Sequence, residues 1–263
     1  MFDKANGIIR QAVLLRGLLT VLSVQWLLSA CMTPGGDYQH RSFHSRSIEN
    51  DGLAVVGVVS AEKKSPAYQY LKWSKTMESS IREHHKQYPL ISAVSVKNAL
   101  DENYTKVLGH YRKYGELDRQ GMSLLHKAPI VARFGILARI ESDQLNRPPK
   151  QENPVKNAHG EVLDDRTMLV LSSQRTMTVL ASVYDLKSGR LVWQRRREVS
   201  LTNNANYVDY RGKSFAGALT VATLNTVSNG TMTRQPPDYP SQDVTLNKIM
   251  EDIASQLPGH RFE

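Results

Sequence analysis

Leu53-Ala54-Val55-Val56-Gly57-Val58-Val59 is the stretch on which the fold turns. It is a short, continuous apolar run, rich in β-branched residues, with the length of a strand and no polar alternation. Such a run reads as a strand buried on both faces. Working outward, Tyr70, Trp73, Met77, Ile81 and His84 recur at helical spacing and predict an amphipathic helix over 67–86. Leu90 to Val96 (LISAVSV) repeats the character of the first run and predicts a second buried strand. Strand, helix, strand with both strands buried points to a right-handed parallel crossover.

Leu100, Tyr104, Val107, Leu108 and Tyr111 mark a second helix, and a short third is expected from Asp118 to Ala128 with Asp118 as its N-cap. Val131 to Ile140 (VARFGILARI) is a third strand. Residues 142–167, with Pro148, Pro149, Pro154 and Gly160, lose all periodicity and are expected to form a long loop. Met168–Leu171, Arg175–Tyr184 and Leu191–Leu201 supply further strand. Between the last two, Asp185 to Arg190 forms a hairpin turn in which Gly189 can take the left-handed position. Residues 213–227 are alanine-rich and helical in pattern. A second loop over 228–245 holds Pro236, Pro237 and Pro240. The last helix carries Leu246, Ile249, Met250, Ile253 and Leu257 on one face and stops at Pro258-Gly259. The expected fold is one α/β domain over 53–263, a mixed sheet with helices in the order β-α-β-α-α-β-β-β-α.

The chain has 263 residues, 34 Lys+Arg against 25 Asp+Glu, and 40% hydrophobic residues. That balance suits a globular protein and excludes a polytopic membrane protein and a wholly disordered one. At the amino terminus Lys4, Arg10 and Arg16 precede GLLTVLSVQWLL (residues 17–28), an apolar run too short to span a bilayer. This is a secretory-signal pattern. Leu28-Ser29-Ala30-Cys31 follows, and Cys31 is the only cysteine. It resembles the lipobox of bacterial lipoproteins. The resemblance implies removal of residues 1–30 and attachment of fatty acyl chains such as palmitate to Cys31. Position 32 is Met rather than the Asp of an inner-membrane retention signal, so the outer membrane is the expected destination, with the domain facing the periplasm. Residues 31–52 are expected as the lipidated cysteine and a solvated tether. A lone cysteine also excludes an intrachain disulfide and a Cys-rich zinc site.

The order of elements, with LAVVGVV, ISAVSV, VARFGILARIESD and VYDLKSGRLVWQ in sequence, resembles a small α/β domain. That domain is shared by the curli-secretion lipoprotein CsgG, the penicillin-binding-protein activator LpoB and the amino-terminal part of TolB. The resemblance spans residues 53–257. It implies envelope assembly through protein binding, with no shared catalytic centre. CsgG also forms a membrane pore, but no alternating lipid-facing hairpin pair is read in this chain.

The candidate chemistry is sparse. Arg211-Gly212-Lys213-Ser214 has the tail of a P-loop, but Tyr207 stands where its first glycine belongs. His84-His85, as neighbours on a helix, do not converge on one metal. No Gly-x-Ser-x-Gly elbow occurs. Arg195-Arg196-Arg197 is the sharpest charge run; on a strand, Arg195 and Arg197 share a face and Arg196 takes the other. Either it guards a strand edge or, with Trp193, it contacts an acidic partner, glycan or phospholipid surface. Trp193 itself is expected to pack against the helical layer. Arg147 and Lys150 in the long loop complete the candidate partner-binding set. Two classes of function remain at this point. One is a lipid-anchored binding or assembly module that binds envelope proteins and no nucleic acid, without catalysis, cofactor or metal. The other is a periplasmic hydrolase whose site gathers scattered residues such as Asp164, Asp165 and His159.

Overall fold

The computed structural model describes residues 37–62, 64–157, 159–229 and 234–259, within the unit Asp37–Glu263. The strands are β1 (Tyr38–Gln39), β2 (Leu53–Ser60), β3 (Leu90–Ile91), β4 (Phe134–Asn146), β5 (Gln151–Lys156), β6 (Val162–Asp185) and β7 (Arg190–Tyr210). The helices are α1 (Ser45–Asp51), α2 (Ala67–His84), α3 (Ala93–Leu100), α4 (Tyr104–Tyr114), α5 (Arg119–Lys127), α6 (Phe215–Asn229) and α7 (Gln242–Ser255). One mixed sheet runs β1-β7-β6-β4-β2-β3, with β5 paired to β6. The expected α/β class and mixed sheet are found.

All eight residues of β2 are buried, and it pairs in parallel with both β3 and β4. Helices lie on each of its faces. On one, a Cβ at Gly57 would stand 2.8 Å from Leu108 and 3.1 Å from the Tyr104 hydroxyl, so the glycine is what lets α4 approach this closely. On the other, the ladder slips between Val55 and Gly57, and the Val58 amide donates to Ser74 Oγ of α2 at 3.0 Å. Ser74 Oγ in turn donates to the Tyr70 carbonyl, so one buried hydroxyl satisfies a backbone amide of β2 and a carbonyl of α2.

Five expectations need correction. The run at 90–96 is strand only at Leu90–Ile91; Ser92 then caps α3, its Oγ accepting from the Ser95 amide at 3.0 Å. Ala93, Val96 and Leu100 are buried at helical spacing, a pattern a short apolar run satisfies as well as strand. Leu100 ends α3 and does not open the following helix, because Asp101 breaks the chain with φ 50°.

The tether does not reach residue 52. Phe43 and Ile48 are fully buried, β1 pairs with β7, and His44 and Ser47 form a reciprocal capping box on α1. The domain therefore begins by Asp37. Cys31 and residues 1–30 lie outside the described residues.

The loop expected over 142–167 is mostly strand. β4 continues to Asn146, β5 spans Gln151–Lys156, and β6 starts at Val162. Pro148 and Pro149 fall in the gap between β4 and β5, and Pro154 sits on an edge strand, where a missing N–H is tolerated. The Asn157 side chain closes the β5–β6 turn, accepting from the amides of His159 and Glu161 at 2.9 and 3.0 Å. The loop expected over 228–245 is shorter as well, since α6 runs to Asn229 and α7 starts at Gln242.

β6 and β7 pair from Asp185↔Arg190 to Arg166↔Tyr210. At about 3.4 Å per residue this ribbon is roughly 70 Å long. Its core-proximal half is covered on both sides: Tyr111 of α4 donates to Ser182 Oγ at 3.1 Å on one, and Val179 and Val183 face the core on the other. Among the described residues its distal half is covered on one side only. There Leu169 and Tyr207 are buried under α6 and the 234–241 segment, with Ser173 Oγ donating to Pro237 O and Tyr207 to Gln235 O. The Asn225 side chain of α6 takes both backbone groups of Val208 on the edge of β7, at 2.7 and 2.9 Å.

Candidate functional site

Strand alternation puts Arg195 and Arg197 on one face of β7, and the structure brings both to the point where the chain enters the domain. The Asp37 carboxylate accepts from Arg197 Nη1 and Nη2, each at 3.1 Å, and lies 3.5 Å from Arg195 Nε. This is bidentate pairing, the stronger geometry for a guanidinium. Arg197 also reaches Asp252 at 3.5 Å and the Gln256 side chain at the end of α7. Arg195 donates to the Tyr38 carbonyl at 3.1 Å and lies 5.5 Å from the Trp193 ring centroid. An open cleft of about 900 Å³ adjoins them, lined also by His44, Arg46 and Leu257. With Arg46, Arg195 and Arg197 against Asp37 and Asp252, the surroundings carry a small positive excess.

Arg196 points the other way and pairs with Glu141 at 2.8 Å. The triplet thus fastens three pieces, the entering chain, α7 and β4, to one strand. Trp193 is fully buried, 6.4 Å from the Phe43 ring, and offers no surface to a partner. Arg147 and Lys150 sit at the β4–β5 junction. Arg147 lies over the Tyr239 ring at 5.2 Å, and Lys150 pairs with Glu152 at 2.9 Å. Asn146 pairs with Gln174 and Arg195 with Ala181, so seven residues of β6, about 23 Å, separate the two groups. The structure does not gather the set into one site.

The scattered acid and histidine candidates are not gathered either. Asp164 and Asp165 are neighbours on β6 and point to opposite sides of the ribbon. Asp165 lies 3.4 Å from Arg166, and His159 sits in the β5–β6 turn. Among the described residues no group of three His, Cys, Asp or Glu side chains could hold a metal ion. Gly212 of the P-loop-like tail packs against the Tyr210 ring, which a Cβ at this position would meet.

Two features escaped sequence reading. Asp37 and Asp252 are the partners of the arginine pair, and their separation along the chain hides that. The second is the uncovered face of the distal ribbon. Cross-strand pairing places Ser142, Gln144 and Asn146 of β4, Thr178, Thr176, Gln174 and Ser172 of β6, and Ser200, Thr202 and Asn204 of β7 side by side on it. Thr176 and Ser200 hydrogen-bond at 2.7 Å, and Ser172 donates to Asn204 at 2.8 Å. The signal was present as a run of Ser, Thr, Asn and Gln at every second position.

No family model matches the chain, and no curated protein does. Among solved structures, the PelC dodecamer from Paraburkholderia phytofirmans is 10% identical over 80% of this chain and 89% of its own, with a TM-score of 0.30. Lipoprotein GNA1162 from Neisseria meningitidis is 13% identical over 68% of this chain and 99% of its own, at 0.31. The hypothetical protein CT253 from Chlamydia trachomatis is 12% identical over 79% and 98%, at 0.34. Bacterial lipoproteins thus stand among the chain's structural likenesses, and at these values the likenesses assign neither family nor function.

Proposed function

We propose that this chain is a lipid-anchored envelope protein of the outer membrane, facing the periplasm, that works as a partner-binding or assembly module without catalysis. The anchor is Cys31, on the Leu28–Cys31 motif behind a signal-like apolar run. The CsgG, LpoB and TolB resemblance belongs to the same reading. The observation that carries it is the distal ribbon: a hydrogen-bonded strand pair with one face left bare among the described residues and lined with Ser, Thr, Asn and Gln. Such side chains offer donors and acceptors in register to the backbone and side chains of a protein partner, and dissolve freely when no partner is present. Arg147 and Lys150 lie at its margin and stay in the proposed contact surface. Arg195 and Arg197 fix the root of the domain at Asp37, a short step along the chain from the anchor.

The test is a pull-down from crosslinked envelopes of the parent beside the double variant Thr176→Lys/Thr202→Lys. The variant should melt with the parent and lose its crosslinked partner. Undiminished capture by a folded variant would refute the ribbon's role. Separately, Cys31→Ser should abolish lipid attachment. Mass spectrometry finding an intact 1–30 segment and a free Cys31 in the parent would refute the anchor.

A further inference from the structure

α6 carries no charged residue in its 15 positions, FAGALTVATLNTVSN. Its inner side holds it to the ribbon: Val221 is buried and Asn225 clasps Val208. Its outer side is open. Phe215 is 83% exposed and Leu219, one turn on, 58%. Ala216, Thr220 and Thr223 are exposed beside them. Both threonine hydroxyls are already used, donating to the carbonyls one turn back, Ala216 at 2.8 Å and Leu219 at 2.9 Å. The stripe therefore presents methyl groups and an aromatic ring, and its removal from water strands no hydroxyl donor. Arg211, Lys213 and Arg234 flank the start of the helix. Asp209 and Glu152 pair with Arg211 and Arg234, and Lys213 is exposed with no ion pair among the described residues.

We propose that the outward face of α6 rests in the interfacial layer of a lipid bilayer, with Lys213 and its neighbouring arginines at the headgroups. Three observations choose a bilayer over a second protein surface. Among the described side chains the exposed apolar stripe, chiefly Phe215 and Leu219, amounts to roughly 300 Å², well short of the about 800 Å² each partner gives a stable protein interface. A charge-free helix face with satisfied hydroxyls and cations at its margin has the character of a helix lying in the membrane plane. The helix is fastened to β7 along its inner side and is about 22 Å long, so it lies on a bilayer and does not cross one. The placement also agrees with the entry of the chain. Arg197, which clamps Asp37, and Tyr207, which lies under α6, are on the same face of β7 and about 33 Å apart. The inference goes beyond the proposed anchor, because it is carried by α6 alone and holds whether or not Cys31 is lipidated.

The experiment places an indole at the stripe with Phe215→Trp in the full chain. Val131→Trp, at a site 87% exposed before β4, is the control. Each protein is mixed with phosphatidylethanolamine–phosphatidylglycerol vesicles, plain or with dibrominated acyl chains, and with phosphatidylcholine vesicles. Emission is read as the difference from the parent, whose Trp73 and Trp193 are buried and whose Trp26, in the apolar amino-terminal run, is common to every sample. The expected result is a blue shift at position 215 on vesicles and several-fold stronger bromolipid quenching than at 131, larger on the anionic vesicles. Equal, unquenched emission at both positions overturns the proposal. A blue shift without vesicles that grows with protein concentration overturns it too, since a second copy then covers the stripe. Flotation of the same samples reads attachment independently. A protein that floats while its new indole stays unquenched loses the α6 contact and keeps the anchor.

Discussion

Phe43→Ala asks whether residues 37–52 are a tether or part of the fold. The ring is fully buried, 5.2 Å from Phe134 in an edge-to-face arrangement and 6.4 Å from Trp193. It sits between β1, which closes the edge of β7, and α1, whose Ile48 is buried in the same cluster. Truncating a buried Phe to Ala removes its transfer free energy and leaves a cavity, a loss of about 3–5 kcal/mol. For a domain of this size each kcal/mol lowers the melting temperature by roughly 2–4 °C. The expected drop is therefore on the order of 10 °C, in a protein whose whole stability is of the order of 5–15 kcal/mol. Urea denaturation followed by circular dichroism gives the free energy, and the slope should hold if folding stays two-state. Coupling adds a second number: in a double-mutant cycle with Trp193→Ala, the aromatic pair should show about 0.5–1.5 kcal/mol of interaction. A Phe43→Ala protein that melts with the parent would refute the reasoning and return the segment to the tether.

Other expectations are read on the same instruments. His85 is buried, stacks on Tyr88 at 4.6 Å and donates from Nε2 to the Ala254 carbonyl at 2.9 Å. Burial holds its pKa below the ordinary 6.5, against the pull of the Ala254 carbonyl and with help from His84. The unfolded chain therefore binds the proton first. Stability is full above about pH 6.5 and falls as the pH drops toward the folded value, by about 1.4 kcal/mol for each unit of depression; His85→Gln should flatten that slope in melting curves taken from neutral pH into mild acid. Asp185 accepts from Arg133 at 3.0 Å and from the amides of Lys187 and Ser188; burial pushes its carboxyl up, but these partners outweigh it and hold the pKa below the usual carboxylate range. Its contribution is present above about pH 4 and lost in stronger acid, so Asp185→Asn should narrow the gap between parent and variant as acid unfolding proceeds. Gly57→Ala forces a methyl to 2.8 Å from Leu108 and should cost about 1–3 kcal/mol; an unchanged melting temperature would show that α4 can back away.

What the sequence disclosed and what it hid follow from one physical difference. Apolar periodicity records burial, so elements pressed into the core were legible: β2 as an unbroken apolar run, α2 from the spacing of Tyr70, Trp73, Met77 and Ile81, and α7 from Leu246, Ile249, Met250 and Ile253. The distal ribbon is held by its backbone ladder. Met168–Leu171 is apolar enough to read as strand and is found as strand, but Thr167 and Ser172 to Gln174 face solvent on one side and a separate helix on the other, with no simple alternation of apolar and polar to mark them. Short apolar runs fail differently: the apolar residues of Leu90 to Val96 fit strand and helix spacing alike, and the capping hydroxyl of Ser92, a local cue, favours helix from Ala93. The shared face of Arg195 and Arg197 was legible because strand alternation is local. Their partner was not, since Asp37 lies 160 residues from Arg197 and becomes a neighbour only through β1. The same reasoning separates the two surfaces proposed for binding. The bare ribbon face is polar and so compatible with water until a protein displaces it. The outer stripe of α6 is apolar and exposed, a standing cost in water that a bilayer removes. A protein that meets a membrane on one side and a partner on the other needs that difference in chemistry, and the two faces of the β6–β7 ribbon supply it.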